Sequence, residues 1–169
     1  LELAEIIDAP IGCSFMGLSA VPTDHPRFLG MQGMHGHYAS SMAMHKADCI
    51  ISLGARFNDR VTGNRAKFAT KANIVHIDIH SGYGPRYNMV IFNSVYDTMN
   101  EAQTKEAFGY DYVVAHDSES FYATTGDTTD YFYRLAESKN TDKTLFSTCF
   151  EFGTIGDSFL DSILSLKYT

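Results

Sequence analysis

The stretch Asn73-Ile74-Val75-His76-Ile77-Asp78-Ile79-His80-Ser81-Gly82-Tyr83-Gly84 decides how the chain is read. Its β-branched apolar residues run without a break and then give way to Asp78, His80 and glycines. That is the pattern of a buried parallel strand with a site at its end. Upstream, Tyr38–Lys46 predicts a helix of small residues suited to close packing on a sheet, and Cys49–Leu53 an apolar strand stopped by Gly54. Helix alternating with fully apolar strand is the signature of a parallel α/β sheet. The expected fold is a single three-layer α/β/α domain with a mainly parallel sheet, built from two fragments joined at a shared central strand.

Working outward toward the N-terminus, residues 1–8 carry a helix-like apolar face without a cap, which reads as entry in mid-element. Residues 9–15 predict a short strand, residues 17–36 a long glycine- and proline-bearing loop, and residues 58–71 a polar segment with a short helix. Toward the C-terminus, strands are expected at 87–93, 110–115 and 144–152. Helices are expected at 95–108, 128–138 and 157–166, with a polar loop at 118–126.

Charge and aromatic content change at the same place. Through Asp78 there are seven Lys/Arg against seven Asp/Glu, and from Ile79 onward six against thirteen; Phe and Tyr rise from five to seventeen. Such a step ordinarily marks a domain boundary, yet here it falls inside a strand. The net charge of -7 argues against nucleic acid, which demands clustered Lys and Arg. No run approaches the roughly 18 to 20 apolar residues of a membrane span, and no basic-then-apolar leader is seen, so a soluble, cytoplasmic, recombinant chain without a membrane partner is expected. Cys13, Cys49 and Cys149 are odd in number, lack Cys-x-x-Cys spacing and sit in apolar contexts, which predicts buried free thiols.

Glycine removes the Cβ that would collide with a flat or anionic ligand, and Gly30, Gly33 and Gly36 interleave with Met34 and His35. Spacing alone favours a turn-rich loop, but the order of residues is more specific. Met16-Gly17-Leu18, Pro22, His25-Pro26, Leu29-Gly30-Met31, Gly33-Met34-His35-Gly36, Leu53-Gly54-Ala55-Arg56-Phe57, Asp59-Arg60-Val61-Thr62-Gly63 and His76-Ile77-Asp78 together resemble the central domain of acetolactate (acetohydroxyacid) synthase, a thiamine-diphosphate family. The resemblance covers residues 1–79 and departs at Asn58, where that family usually has Asp. It implies a sheet domain holding FAD in a mainly structural part. Met34, His35 and Gly36 would line the flavin, Gly54, Ala55 and Arg56 would meet its ribityl and phosphate portion, and Arg60 and Asp78 would lie near. The family's thiamine chemistry needs two further domains that these residues do not include, so it is not expected.

The second half gives another resemblance. Asp78-Ile79-His80-Ser81-Gly82, Tyr122-x-x-x-Gly126-x-x-x-Asp130-Tyr131 and Phe150-Glu151-Phe152-Gly153-Thr154-x-Gly156 look like the C-terminal part of a zinc carboxypeptidase-like metallohydrolase over residues 76–169. That resemblance implies His80 as third zinc ligand, Glu151 as general base and Tyr122 as a substrate-contacting phenol. The family's first two ligands come from a His-x-x-Glu pair upstream of the third, and none precedes His80 in this sequence. His76 cannot replace them: four residues before His80 on one strand, its Cα stands about 13 Å away.

The expectation is therefore one chimeric domain, 1–169, with a synthase-like half at 1–78 and a carboxypeptidase-like half at 79–169. It would be engineered or recombined, folded but without intact catalysis. No cofactor is expected; FAD and zinc are the two candidates. Self-association through surfaces exposed by missing domains is the expected partnership.

Overall fold

The computed structural model describes residues 1–154 apart from 65, 83, 120, 122–125 and 140–141. The chain divides into two compact units: residues 1–50 with 55–73, and residues 51–54 with those from 74 onward.

In the first unit, α1 (Glu2–Ile6) leads to β1 (Ile11–Cys13), which pairs in parallel with β2 (Phe28–Met31). α2 (Tyr38–Lys46) packs on both strands through a small-residue face. Its Ser40, 2% exposed, donates to Gln32 Oε1 at 3.0 Å, and a Cβ on Gly12 would sit 2.6 Å from that hydroxyl. The expected long loop thus contains a strand, β2, whose pattern is hidden by Pro26 just before it and by Gly30, at positive φ, within it. α3 (Asp59–Thr62) is one turn, capped by Asn58 Oδ1 accepting from the Val61 N–H at 3.0 Å. Ile50, Ala69 and Ala72 form this unit's core, with Met44, Phe57 and Phe68 against them.

The five-stranded sheet runs in the order β3-β4-β7-β5-β6, where β3 is Cys49–Leu53, β4 Asn73–Gly82, β5 Met89–Asn93, β6 Val113–Val114 and β7 Leu145–Gly153. β4 pairs in parallel with β7 over nine residues, Ile74↔Leu145 through Gly82↔Gly153, and β5 pairs in parallel with β6. β5 runs antiparallel to β7, so the sheet is mostly parallel. The strand expected at the centre is displaced one place: β4 is interior, but β7 holds the middle. β4 is also less buried than its apolar run predicts. Only His76 is fully buried, and Ile79 is 51% exposed.

Within the second unit, helices cover both faces of the sheet. On one, α4 (Glu101–Phe108) sets Phe108 5.7 Å from Phe146 and 6.2 Å from Phe150, ring centre to ring centre. On the other, α5 (Thr128–Lys139) places Phe132 4.6 Å from the His76 ring, and Tyr133 Oη accepts from the Ser147 N–H at 3.2 Å. The α4 helix starts later than expected, because Asn100 and Gln103 form a reciprocal cap that fixes its first turn. The helix expected at 157–166 lies outside the described residues. No helix among the described residues is long and apolar enough to cross a membrane.

Candidate functional site

Strand alternation gathers chemistry at the carboxyl ends of β4 and β7. Residues two apart share a face, and register partners on neighbouring strands share it too. The pairs Asp78↔Cys149 and His80↔Glu151 therefore set four polar side chains side by side. His80 Nε2 lies 3.3 Å from Asp78 Oδ2 and its Nδ1 lies 3.5 Å from Glu151 Oε1. Cys149 Sγ donates toward Glu151 Oε1 at 3.8 Å. Exposure falls from the mouth inward: His80 is 54% exposed as a side chain and Glu151 16%, while Cys149 is buried against Val90, Phe92 and Val114. Burial, then the carboxylates of Glu151, Asp78 and Asp127, push the Cys149 thiol up to about 12, so it stays protonated at neutral pH.

The pairing of His80 with Glu151 joins two residues chosen from sequence. Cys149 was missed as part of the site, although the alternation Cys149-Phe150-Glu151 puts it on the Glu151 face; without the β4–β7 register nothing tied it to His80. Tyr122 lies outside the described residues. The three thiols are free, but they are not uniformly buried: Cys149 is buried, Cys13 half-buried and Cys49 exposed. Cys49 points outward because β3 alternates, with Ile50 and Ser52 as its buried residues.

The residues implied for FAD fall in both units. Gly54 and Asp78 belong to the second, where the Gly54 N–H donates to Ile77 O at 2.8 Å on the neighbouring strand. Met34, His35, Gly36, Ala55, Arg56 and Arg60 belong to the first. There the Met34 N–H donates to Arg60 O at 2.8 Å, bringing those two together, while Met34, His35, Arg56 and Arg60 are exposed. The glycines of this loop are explained by the chain itself. A Cβ on Gly33 would strike the carbonyl of Arg60, and one on Gly36 the carbonyl of Met31. A cleft of about 310 Å³ lies beside them, walled by Met34, His45, Val61, Lys67 and Phe68 among others. That is the low end for a ligand pocket, and the described residues of the first unit do not fit a whole flavin dinucleotide.

The fold and sites define an α/β chain with two sources. Residues 1–101 match the thiamine pyrophosphate enzyme central domain, and residues 60–166 match a family described as a protein of unknown function, DUF2817. The chain belongs to both families: a partial central domain of the first is fused to a region of the second, and the two matches overlap through β4. Among curated proteins it is similar to the acetolactate synthase isozyme 3 large subunit of Escherichia coli (strain K12), 50% identical over 78 residues, which cover 46% of this chain and 14% of that subunit. The acetolactate synthase large subunit of Buchnera aphidicola subsp. Schlechtendalia chinensis is 51% identical over 78 residues, again 46% and 14%. The probable acetolactate synthase large subunit of Methanocaldococcus jannaschii is 48% identical over 79 residues, 47% and 13%. The chain thus spans about a seventh of the length of these relatives.

Proposed function

We propose that the chain is a recombined, engineered α/β fusion whose property is to fold, with neither synthase nor hydrolase activity. In this reading the second half derives from a zinc carboxypeptidase-like metallohydrolase, with His80 matching a zinc ligand and Glu151 its general base. The observation that carries it is the β4–β7 ladder, whose nine pairs run unbroken across the Asp78/Ile79 junction. A strand from one family occupies a slot in the other's sheet because both supply a β-branched parallel strand there. The site geometry points the same way. A general base must face a water held by the metal, whereas Glu151 Oε1 faces the His80 imidazole itself.

The test is hydrolysis of a short peptide by the zinc-supplemented full chain beside Glu151→Gln. No turnover above the Glu151→Gln background supports the reading, and zinc-dependent turnover abolished by that substitution overturns it. Isolation of this intact chain from a native organism would overturn the engineered origin.

A second reading is a residual nucleotide-binding module in the first unit, favoured by the cleft of about 310 Å³ with Lys67 and His45 in its wall. Room for part of an adenine nucleotide with a cation beside it suits a phosphate-bearing fragment. A rise in melting temperature with FAD or ADP supports this second reading; an unchanged melting temperature with both contradicts it.

A further inference from the structure

Three kinds of metal donor converge at the ends of β4 and β7: an imidazole, a thiol and a carboxylate, with all three ligand atoms within 4.8 Å of one another. We propose that His80 Nδ1, Cys149 Sγ and Glu151 Oε1 hold a divalent ion of the zinc and cobalt class, with Asp78 as the residue that orients the imidazole. This set differs from the carboxypeptidase-like assignment, in which Cys149 has no part and Glu151 is a base. It does not depend on the proposed lack of activity, because a metal whose carboxylate neighbour is a ligand can be held without hydrolysis.

Distances support the set. Tetrahedral zinc with bonds of about 2.0 Å to N and O and about 2.3 Å to S has an N···O edge of about 3.3 Å and an S···O edge of about 3.5 Å. The corresponding separations are 3.5 Å from His80 Nδ1 to Glu151 Oε1 and 3.8 Å from Cys149 Sγ to Glu151 Oε1. A few tenths of an ångström closes these two edges, and the third, between the His80 nitrogen and Cys149 Sγ, lies within 4.8 Å and must close to about 3.5 Å. The donors stand on adjacent, register-paired strands, so that adjustment needs no loop to fold over the site.

The surroundings of the imidazole add an independent argument. A ligating histidine ordinarily gives its second ring N–H to a carboxylate, which fixes the tautomer and ring orientation. With Nδ1 on the metal, Nε2 faces Asp78 Oδ2 at 3.3 Å, while Asp78 Oδ1 accepts from the Ile79 N–H at 3.1 Å. Sulfur and imidazole donors select a borderline transition metal over magnesium or calcium, which prefer oxygen. Binding displaces the Cys149 thiol proton to solvent and leaves a thiolate bonded to the ion. The exposed His80 edge gives the fourth position to water.

Cobalt(II) titration of the reduced full chain tests this. One equivalent should produce thiolate-to-cobalt charge-transfer absorption, lost in Cys149→Ser and kept in Cys13→Ser and Cys49→Ser. Asp78→Asn should keep the band and weaken binding roughly 10- to 100-fold. A wild-type chain without the band, or a band that survives Cys149→Ser, overturns the proposal. Should Cys149→Ser fail to fold, His80→Gln at the exposed position decides: loss of cobalt affinity supports the site, and unchanged affinity contradicts it.

Discussion

His76 Nδ1 lies 3.0 Å from Ser147 Oγ, a contact between β4, where the two family matches overlap, and β7, with the ring 2% exposed beneath Phe132. Burial lowers the His76 pKa from 6.5, opposed in part by the Asp78 carboxylate. A folded-state pKa below the unfolded one gives stability that is present above pH 6.5 and lost as pH falls through the depressed value. The urea midpoint should therefore drop on acidification below that point. His76→Phe should flatten this dependence and cost roughly 1 to 3 kcal/mol at neutral pH, because the buried Ser147 hydroxyl loses its partner.

Behind the opposite face, Asn93 accepts from Thr148 Oγ1 at 2.7 Å and donates to Thr104 Oγ1 at 3.0 Å, and Thr104 donates to Asn100 O at 2.9 Å. All three side chains in the middle of this relay are fully buried. Asn93→Leu leaves Thr104 without its donor in a dry site, so denaturant unfolding should show a loss of roughly 1 to 3 kcal/mol. Asn100→Ala removes the α4 cap and should cost about 0.5 to 2 kcal/mol by the same assay.

Gly153 closes β7 against the turn that follows β4. Its N–H donates to Asn88 O at 2.8 Å and its carbonyl accepts from the Tyr87 N–H at 2.7 Å. A Cβ there would strike the carbonyls of Pro85 and Gly84, which are backbone and cannot swing away. Gly153→Ala should therefore lower the thermal midpoint and cost about 1 to 3 kcal/mol, as overpacking does elsewhere. Gly63→Ala meets no neighbouring atom, so any loss it shows reports the cost of its positive φ without crowding.

Much of the architecture was legible because period and length speak locally. Tyr38–Lys46 and Cys49–Leu53 fall where small-residue and apolar patterns put them, and β7 is recognisable from Leu145 to Phe152. What needs distant partners was not. β7 inserts between β4 and β5, an order that no local period encodes. The same gap concealed Cys149, since its nearness to His80 comes from strand pairing 71 residues apart in sequence, as with His76 and Ser147. The glycines at 33 and 36 illustrate the converse. Their spacing suggested a ligand's approach, while the space they leave is taken by carbonyls of Arg60 and Met31.

Native-state hydrogen exchange on β4 and β7 most directly tests whether the fused halves share one sheet. The nine-pair ladder predicts that amides of 74–82 and 145–153 open together, with matching free energies that rise and fall jointly with denaturant. Fast, denaturant-insensitive exchange along 74–82 beside a protected β7 would contradict it.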